Sequence, residues 1–465
     1  MVDYDVVIIG AGMSGLAAAI RVALAGKSVL VLERHEAPGG LNSFYRQNGR
    51  IFDVGLHALT NFAEKGVKGA PLNKIFRQLR IPRDSFDLNP QLGSRIHFPE
   101  KSLTFTNDPA RLEAEVSENF PECIDGFREV VRFVEDRDAT ALTDRGEMAG
   151  PFLERKISDP LLREMILCPI LYYGSATEGD IDLDQFVILF RSLYLEGFSR
   201  PIDGVRTIIR SLLRKLKEVG GERRMRCGVK KMSVASGRVQ ELELDDGTTI
   251  RAGTVLSSAG LVETNRLCGI EEEREPVGRL SFVETISIYR QNPSHFGWND
   301  TITFFSTERP FQYRRPENDL VDPASGVLCI PNHYDYGEDR ELSDGVVRLT
   351  ALANYDKWKD LEAPAYQEAK EHWFRRLQQV ALEVLPTPLV DPASSLVASD
   401  MFTPLTVEKF TGHLGGAVYG SSRKAKDGTT DFENLYLCGT DQGFLGIVGA
   451  MLSGISIANR YVIQG

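Results

Sequence analysis

The sequence predicts an α/β protein: a parallel sheet flanked by helices, assembled from separated stretches of chain, with a mixed α+β domain beside it. Three observations carry this. Between Tyr4 and Glu33 an apolar strand, a glycine-rich turn, an apolar helix and a second apolar strand follow one another. Two further apolar runs, 255–257 and 435–438, lead into Gly260 and Gly439 and read as strands returning to the same sheet. Residues 85–200 show helical periodicity and none of these glycine signals, as expected of an inserted domain.

The first unit is the most explicit. Residues 5–9 are apolar and short enough for a buried strand. Gly10-Ala11-Gly12-Met13-Ser14-Gly15 follows at once and opens an apolar helix reaching about Ala25, which Gly26 and Lys27 break. Residues 28–32 form a second buried strand that ends at Glu33. Gly10 permits the tight turn, Gly12 lets backbone N–H groups approach a pyrophosphate, and Gly15 lets helix and strand pack closely. The helix start, with Met13 and Ser14, supplies unsatisfied donors and a partial positive charge. Glu33 can accept hydrogen bonds from both ribose hydroxyls and would repel a 2′-phosphate; Arg34 stands beside it. A glycine turn with only a packing role is the plainer alternative. The strand–turn–helix context and the placed acid favour a Rossmann-type unit for an adenine dinucleotide.

Further along, Gly39 and Gly40 precede Leu41 and Asn42, and the Asn48-Gly49 step between apolar residues reads as a hairpin-like turn. Helical patterns cover 110–136, 159–173 and 204–216, the last apolar at Val205, Ile208, Ile209, Leu212, Leu213 and Leu216. Short strands with an Asp246-Gly247 turn occupy 226–257, Val229 among them. A second domain resumes with strands near 282–289, 302–306 and 346–353 and a helix over 363–385. The expected division is 1–84, 201–279 and 401–465 for the nucleotide domain, and 85–200 with 280–400 for the substrate domain.

Three segments match one arrangement: the N-terminal unit, Gly39-Gly40 with Phe52-Asp53-Val54-Gly55, and Leu435-Tyr436-Leu437-Cys438-Gly439-Thr440-Asp441 followed by Gly443, Gly446 and Gly449. Together they resemble the flavin-dependent amine oxidase and phytoene desaturase superfamily. The resemblance is closer to its phytoene desaturase, carotenoid isomerase and retinol saturase branch, to which the phrase Gly415-Gly416-Ala417-Val418-Tyr419-Gly420 is also similar. It covers about 1–60, 200–262 and 405–465. It implies a discontinuous Rossmann-type FAD-binding domain and an FAD-dependent oxidoreductase. Asp441 would hold ribityl or pyrophosphate-side groups. The helix that Gly446, Ile447 and Val448 begin would face the flavin N1 and C2 carbonyl, where a helix N-terminus favours negative charge. Many amine oxidases carry Gly-Gly-Arg where this chain has Gly39-Gly40-Leu41, and the family commonly shows two glycines where it has Asp203-Gly204. The first departure weighs against an amine oxidase.

Composition narrows the partners. With 42% hydrophobic and 26% charged residues the chain reads as a soluble globular protein. A net charge of −11 argues against a nucleic-acid partner and leaves peripheral membrane contact open. Six cysteines scattered without CxxC or CxxH spacing are those of a reduced, cytoplasmic protein, and no metal site is expected. No run is both long and free of glycine interruption enough to span a bilayer; 443–459 comes closest and reads as a buried loop and helix. The expected substrate is a hydrophobic small molecule of isoprenoid or polyene type, desaturated, saturated or isomerised. The electron acceptor is open among oxygen, quinone and nicotinamide. A small amine is the alternative substrate, and a prenyl-binding escort-like protein the non-enzymatic one. His57 is the candidate near the flavin and Tyr419 a candidate aromatic wall; each has a packing role as its plainer reading. The apolar residues of 161–173 and 186–198 would line a tunnel or a membrane-facing patch, or form ordinary helical core.

Overall fold

The computed structural model describes residues 3–55, 57–139, 146–270 and 277–464. One half is built on a five-stranded parallel sheet in the order Leu435–Leu437, Ala252–Ser257, Tyr4–Ile9, Val29–Leu32, Glu222–Arg224. Successive residues of the central strand point to opposite faces. Val6 and Ile8 pack under the helices Met13–Leu24, Val205–Glu218 and Gly446–Ala458. Val7 and Ile9 pack against Met232, Leu242 and Ile250 of a three-stranded antiparallel sheet, Val229–Ala235, Arg238–Leu244 and Thr249–Ile250. Both faces are covered, which is why the strand is apolar at consecutive positions rather than alternating ones.

The last stretch of the strands expected over 226–257 divides between two sheets. Thr249–Ile250 ends the antiparallel sheet, and Ala252–Ser257 crosses into the parallel one. The hinge is Arg251, whose N–H donates to Asp3 Oδ2 and whose carbonyl accepts from Asp3 N, each at 2.9 Å. Strand propensity marks extended chain but not which neighbour it pairs with. The Asn48-Gly49 turn joins strands Phe44–Gln47 and Arg50–Asp53 with φ of 50° and 77°, the left-handed pair a two-residue hairpin turn requires.

The other half carries a seven-stranded mixed sheet in the order Leu396–Phe402, Ser281–Tyr289, Gly345–Ala353, Ser325–Cys329, Ile302–Ser306, Ser94–His97, Ser102–Phe105. Its one parallel pairing, Ile302–Ser306 with Ser94–His97, joins chain from before and after the stretch 201–279. Helix Ala363–Val384 covers one face through Val283, Leu349 and Trp358. The helices Pro109–Asn119, Ile124–Asp136, Ala149–Lys156, Pro160–Gly174 and Leu183–Phe190 form a large core with the other. Asp108 and Asp159 cap two of these helices, accepting from Ala110 N at 3.0 Å and Leu161 N at 2.8 Å, each with proline at the first helical position. The single helical pattern expected over 110–136 is broken at Phe120–Cys123. Pro121 lacks the N–H that a continuous helix would use and disfavours helical backbone at Phe120. The apolar stretches 161–173 and 186–198 are almost wholly core: Leu162, Ile166, Phe186 and Phe190 are buried, and only Tyr172 and Tyr173 reach a cavity.

Residues Gly446–Ile463 are long and apolar enough to cross a membrane by length and composition, and 56% of that stretch is buried within the protein. Its helix lies against Met13–Leu24. A Cβ at Gly454 would stand 2.0 Å from the carbonyl oxygen of Ser14. Gly454→Leu is therefore expected to lower stability by about 1–3 kcal/mol, the usual cost of overpacking. The check is the urea midpoint at unchanged slope; an unmoved midpoint would contradict this contact.

Candidate active site

A cavity of about 600 Å³ lies between the two sheets. Its first wall is made by loops at the carboxyl ends of the parallel strands, where ligands bind in open α/β sheets. Gly10, Gly12, Met13, Ser14, Glu33, Arg34, Gly39, Gly40, Leu41, Asn42, Val229, Gly439, Gly446 and Ile447 all border it, as do His57 and Tyr419. Residues separated by more than four hundred positions in sequence thus share one surface because three parallel strands deliver them there.

Three expected residues stand behind this wall. A Cβ on Gly15 would lie 2.1 Å from the carbonyl oxygen of Gly10, so this glycine seats the helix on its own turn. Val448 is fully buried in the helix layer. Asp441 points inward: its carboxylate accepts from Leu261 N at 2.7 Å, Ser421 N at 2.9 Å and Lys424 Nζ at 3.1 Å. All three donors are the protein's own, so Asp441 ties the loops behind the cavity together rather than offering its charge to the cavity. Burial pushes the Lys424 ammonium below its ordinary value, against the pull of Asp441.

The first wall fits FAD. Gly12 has extended backbone (φ −73°, ψ −178°), and a Cβ built there meets no protein atom within 4 Å, so the space above it belongs to the cavity. The helices starting at Met13 and Gly446 both lack a side-chain cap, which leaves their first N–H groups and partial positive charge to an anionic or electron-rich ligand. Glu33 accepts from Ala11 N at 2.7 Å through one oxygen and from His35 N at 2.9 Å through the other. Each oxygen retains a lone pair for a ribose hydroxyl. Arg34, 65% exposed, stands at the mouth, 3.9 Å from Asp245.

The opposite wall comes from the mixed sheet and the helical core. Strand Ser281–Tyr289 turns Phe282 and Glu284 to the cavity, and strand Gly345–Ala353 brings Thr350 directly opposite Glu284 in the antiparallel register. Arg348, two residues along the same face and 2% exposed, pairs with Glu284 and donates to the Val54 carbonyl at 2.7 Å. His57 Nε2 lies 3.3 Å from Glu284 Oε2 and 3.2 Å from Thr350 Oγ1. Burial alone would raise the Glu284 carboxyl, but Arg348 and His57 outweigh it and hold it below the usual carboxylate range. Tyr172, Tyr173, Phe282 and Tyr419 complete an aromatic lining, with Phe282 and Tyr419 edge to face at 5.9 Å. The Tyr419 hydroxyl donates to the Tyr172 carbonyl, and burial raises its pKa, so Tyr419 serves as wall rather than proton donor.

Glu284, Arg348 and Thr350 escaped the sequence reading. The available signal was a lone acid and a lone base inside two apolar strand patterns, positions where an unpaired charge is costly. Nothing in the sequence paired the two.

A dinucleotide cradle with two uncapped helix N-termini, opening onto an aromatic chamber, defines a flavin-dependent oxidoreductase. The chain belongs to the flavin containing amine oxidoreductase family, whose model matches residues 13–461. It is an FAD-dependent enzyme of that family. Among curated relatives, prolycopene isomerase of Arabidopsis thaliana is 24% identical over 98% of this chain and 82% of its own. The lycopene-forming phytoene desaturase of Pseudescherichia vulneris is 26% identical over 75% and 70%. The all-trans-retinol 13,14-reductase of Danio rerio is 24% identical over 98% and 86%. The fold is shared with an oxidoreductase from Methanosarcina mazei, TM-score 0.66 at 14% identity, covering 98% of this chain and 100% of that one.

Gly12→Ala is expected to leave the thermal midpoint of the apoprotein unchanged, because a Cβ there meets no protein atom, and to weaken FAD retention in the purified protein. Flavin absorbance and thermal unfolding check the two halves separately. Glu284 also predicts an acid limb. Its folded pKa lies below its unfolded value, so its pairing stabilises the protein above the ordinary carboxylate range, and that contribution is lost as pH falls through the lowered value. Stability of Glu284→Gln is expected to fall less steeply with acidification than that of the wild type. Parallel curves would contradict this assignment.

Proposed function

We propose that the protein desaturates, saturates or isomerises a hydrophobic isoprenoid or polyene chain. The observation that carries this reading is the chamber beside the cofactor loops, lined by Tyr172, Tyr173, Phe282, Val327, Tyr419 and Leu445. Apolar and aromatic surface of this kind binds a hydrocarbon by burial and orients it by shape. FAD, when bound, supplies the two-electron exchange; the protein positions the chain and controls protons. The names of the curated relatives, an isomerase, a desaturase and a reductase of carotenoid or retinoid molecules, support the same substrate class.

A small amine suits this chamber less well. A cationic substrate needs uncompensated negative charge, and the one carboxylate of the Phe282–Glu284 strand face is already matched by Arg348 and His57.

The test is anaerobic incubation of FAD-loaded protein with polyenes, isoprenoids and amines, followed by product analysis with both oxidised and pre-reduced flavin. The expected outcome is flavin bleaching by a long-chain substrate, or conversion of such a substrate by the reduced enzyme. Protein that takes up no FAD, or flavin reduced by amines alone, would sink the reading.

A further inference from the structure

The charged cluster on the far wall has a consequence for proton chemistry. We propose that His57 Nδ1 is the proton acceptor of the reaction in this cavity, and that Glu284 and Thr350 are positioning residues that fix the histidine's own proton on Nε2. This rests on the reading of the cavity as the site of an FAD-dependent reaction on a hydrophobic chain.

The assignment follows from hydrogen-bond roles. An ionised carboxylate only accepts. Glu284 Oε2 lies 3.3 Å from His57 Nε2, and Arg348, buried beside it, supplies the compensating charge that keeps Glu284 ionised. The Thr350 hydroxyl donates to the same Oε2 at 3.3 Å, so towards His57 Nε2, 3.2 Å away, it presents a lone pair. Both partners of Nε2 are therefore acceptors, and a neutral imidazole carries one N–H. That hydrogen sits on Nε2, and Nδ1 carries the lone pair. Among the described residues Nδ1 has no hydrogen-bond partner, and the ring borders the cavity. The backbone of His57 is held as well: its carbonyl accepts from Tyr334 Oη at 3.0 Å and from Cys329 Sγ at 3.6 Å.

Loss of two hydrogens across a carbon–carbon bond divides into a hydride and a proton. The proton's C–H bond breaks, its electron pair becomes the new π bond, and the proton bonds to Nδ1. The hydride leaves with its electrons, for which oxidised FAD is the two-electron acceptor. In the opposite direction the protonated ring returns the proton to carbon. The phenols of the aromatic lining, Tyr172, Tyr173 and Tyr419, are pushed further above their ordinary value by burial and so stay protonated, whereas the free lone pair on His57 Nδ1 can take a proton.

The experiment is nitrogen NMR of the FAD-loaded protein carrying labelled histidine, with His57→Gln to assign the resonances. The expected result is the Nε2–H tautomer at neutral pH. In Glu284→Gln the expected result is a share of the Nδ1–H tautomer that the wild type lacks, since the anion that holds the hydrogen on Nε2 is gone. A wild-type Nδ1–H tautomer overturns the proposal, and this measurement needs no substrate. In parallel, His57→Gln is expected to keep its FAD and to slow flavin reduction by a polyene on the order of 100-fold. An unchanged rate overturns the proposal and leaves the substrate class standing. A flavin that no chain substrate reduces, and that when pre-reduced converts none, overturns the broader reading and this assignment with it.

Discussion

The architecture depends on close backbone approach at small residues. Gly15 lets helix Met13–Leu24 sit on the carbonyl of Gly10, and Gly454 lets helix Gly446–Ala458 sit on the carbonyl of Ser14. A single methyl group at either place would meet an oxygen at about 2 Å. Because no side chain separates them, two helices from opposite ends of the chain bring their N-termini to one cavity. Their uncapped N–H groups then form a single electropositive cradle rather than two isolated helix starts. Packing and cofactor binding are here the same constraint: whatever parts the helices also dismantles the cradle.

Buried ionic groups do the second organising job. Glu284 with Arg348, Asp441 with Lys424, and Asp53 with Arg200 each join separate elements of the chain within low-dielectric surroundings. Such pairs contribute little net stability, because desolvation offsets most of the attraction, but removing one partner strands the other. Their effect is placement. Asp441 anchors Leu261 and Ser421 behind the flavin loops; Arg348 reaches Val54, next to the turn that carries His57. The chamber's polar point is thus set by the same strands that make it hydrophobic.

Much of the nucleotide half was legible because its signals are local. Glycine spacing, apolar strand length and a terminal acid lie within thirty residues and obey short-range sterics, so Gly10 to Glu33 could be read directly. The C-terminal loop was legible for the same reason, although Asp441 was assigned outward where the structure turns it inward. A carboxylate's direction depends on which donors surround it, and those donors sit at Leu261, Ser421 and Lys424. The break at Pro121 was readable from proline chemistry, yet helical periodicity on either side masked it. The apolar runs 161–173 and 186–198 looked the same whether core or tunnel, since hydrophobicity alone does not say what lies opposite.

By itself, then, the sequence determined the class of cofactor and the local elements that hold it, because tight turns, helix starts and strand lengths are decided by residues a few positions apart. Tertiary structure alone decided the chamber and its charged cluster. Glu284, Thr350, Arg348 and His57 meet through strand register and a loop crossing between sheets, and register is a property of the paired strands, not of either strand's sequence.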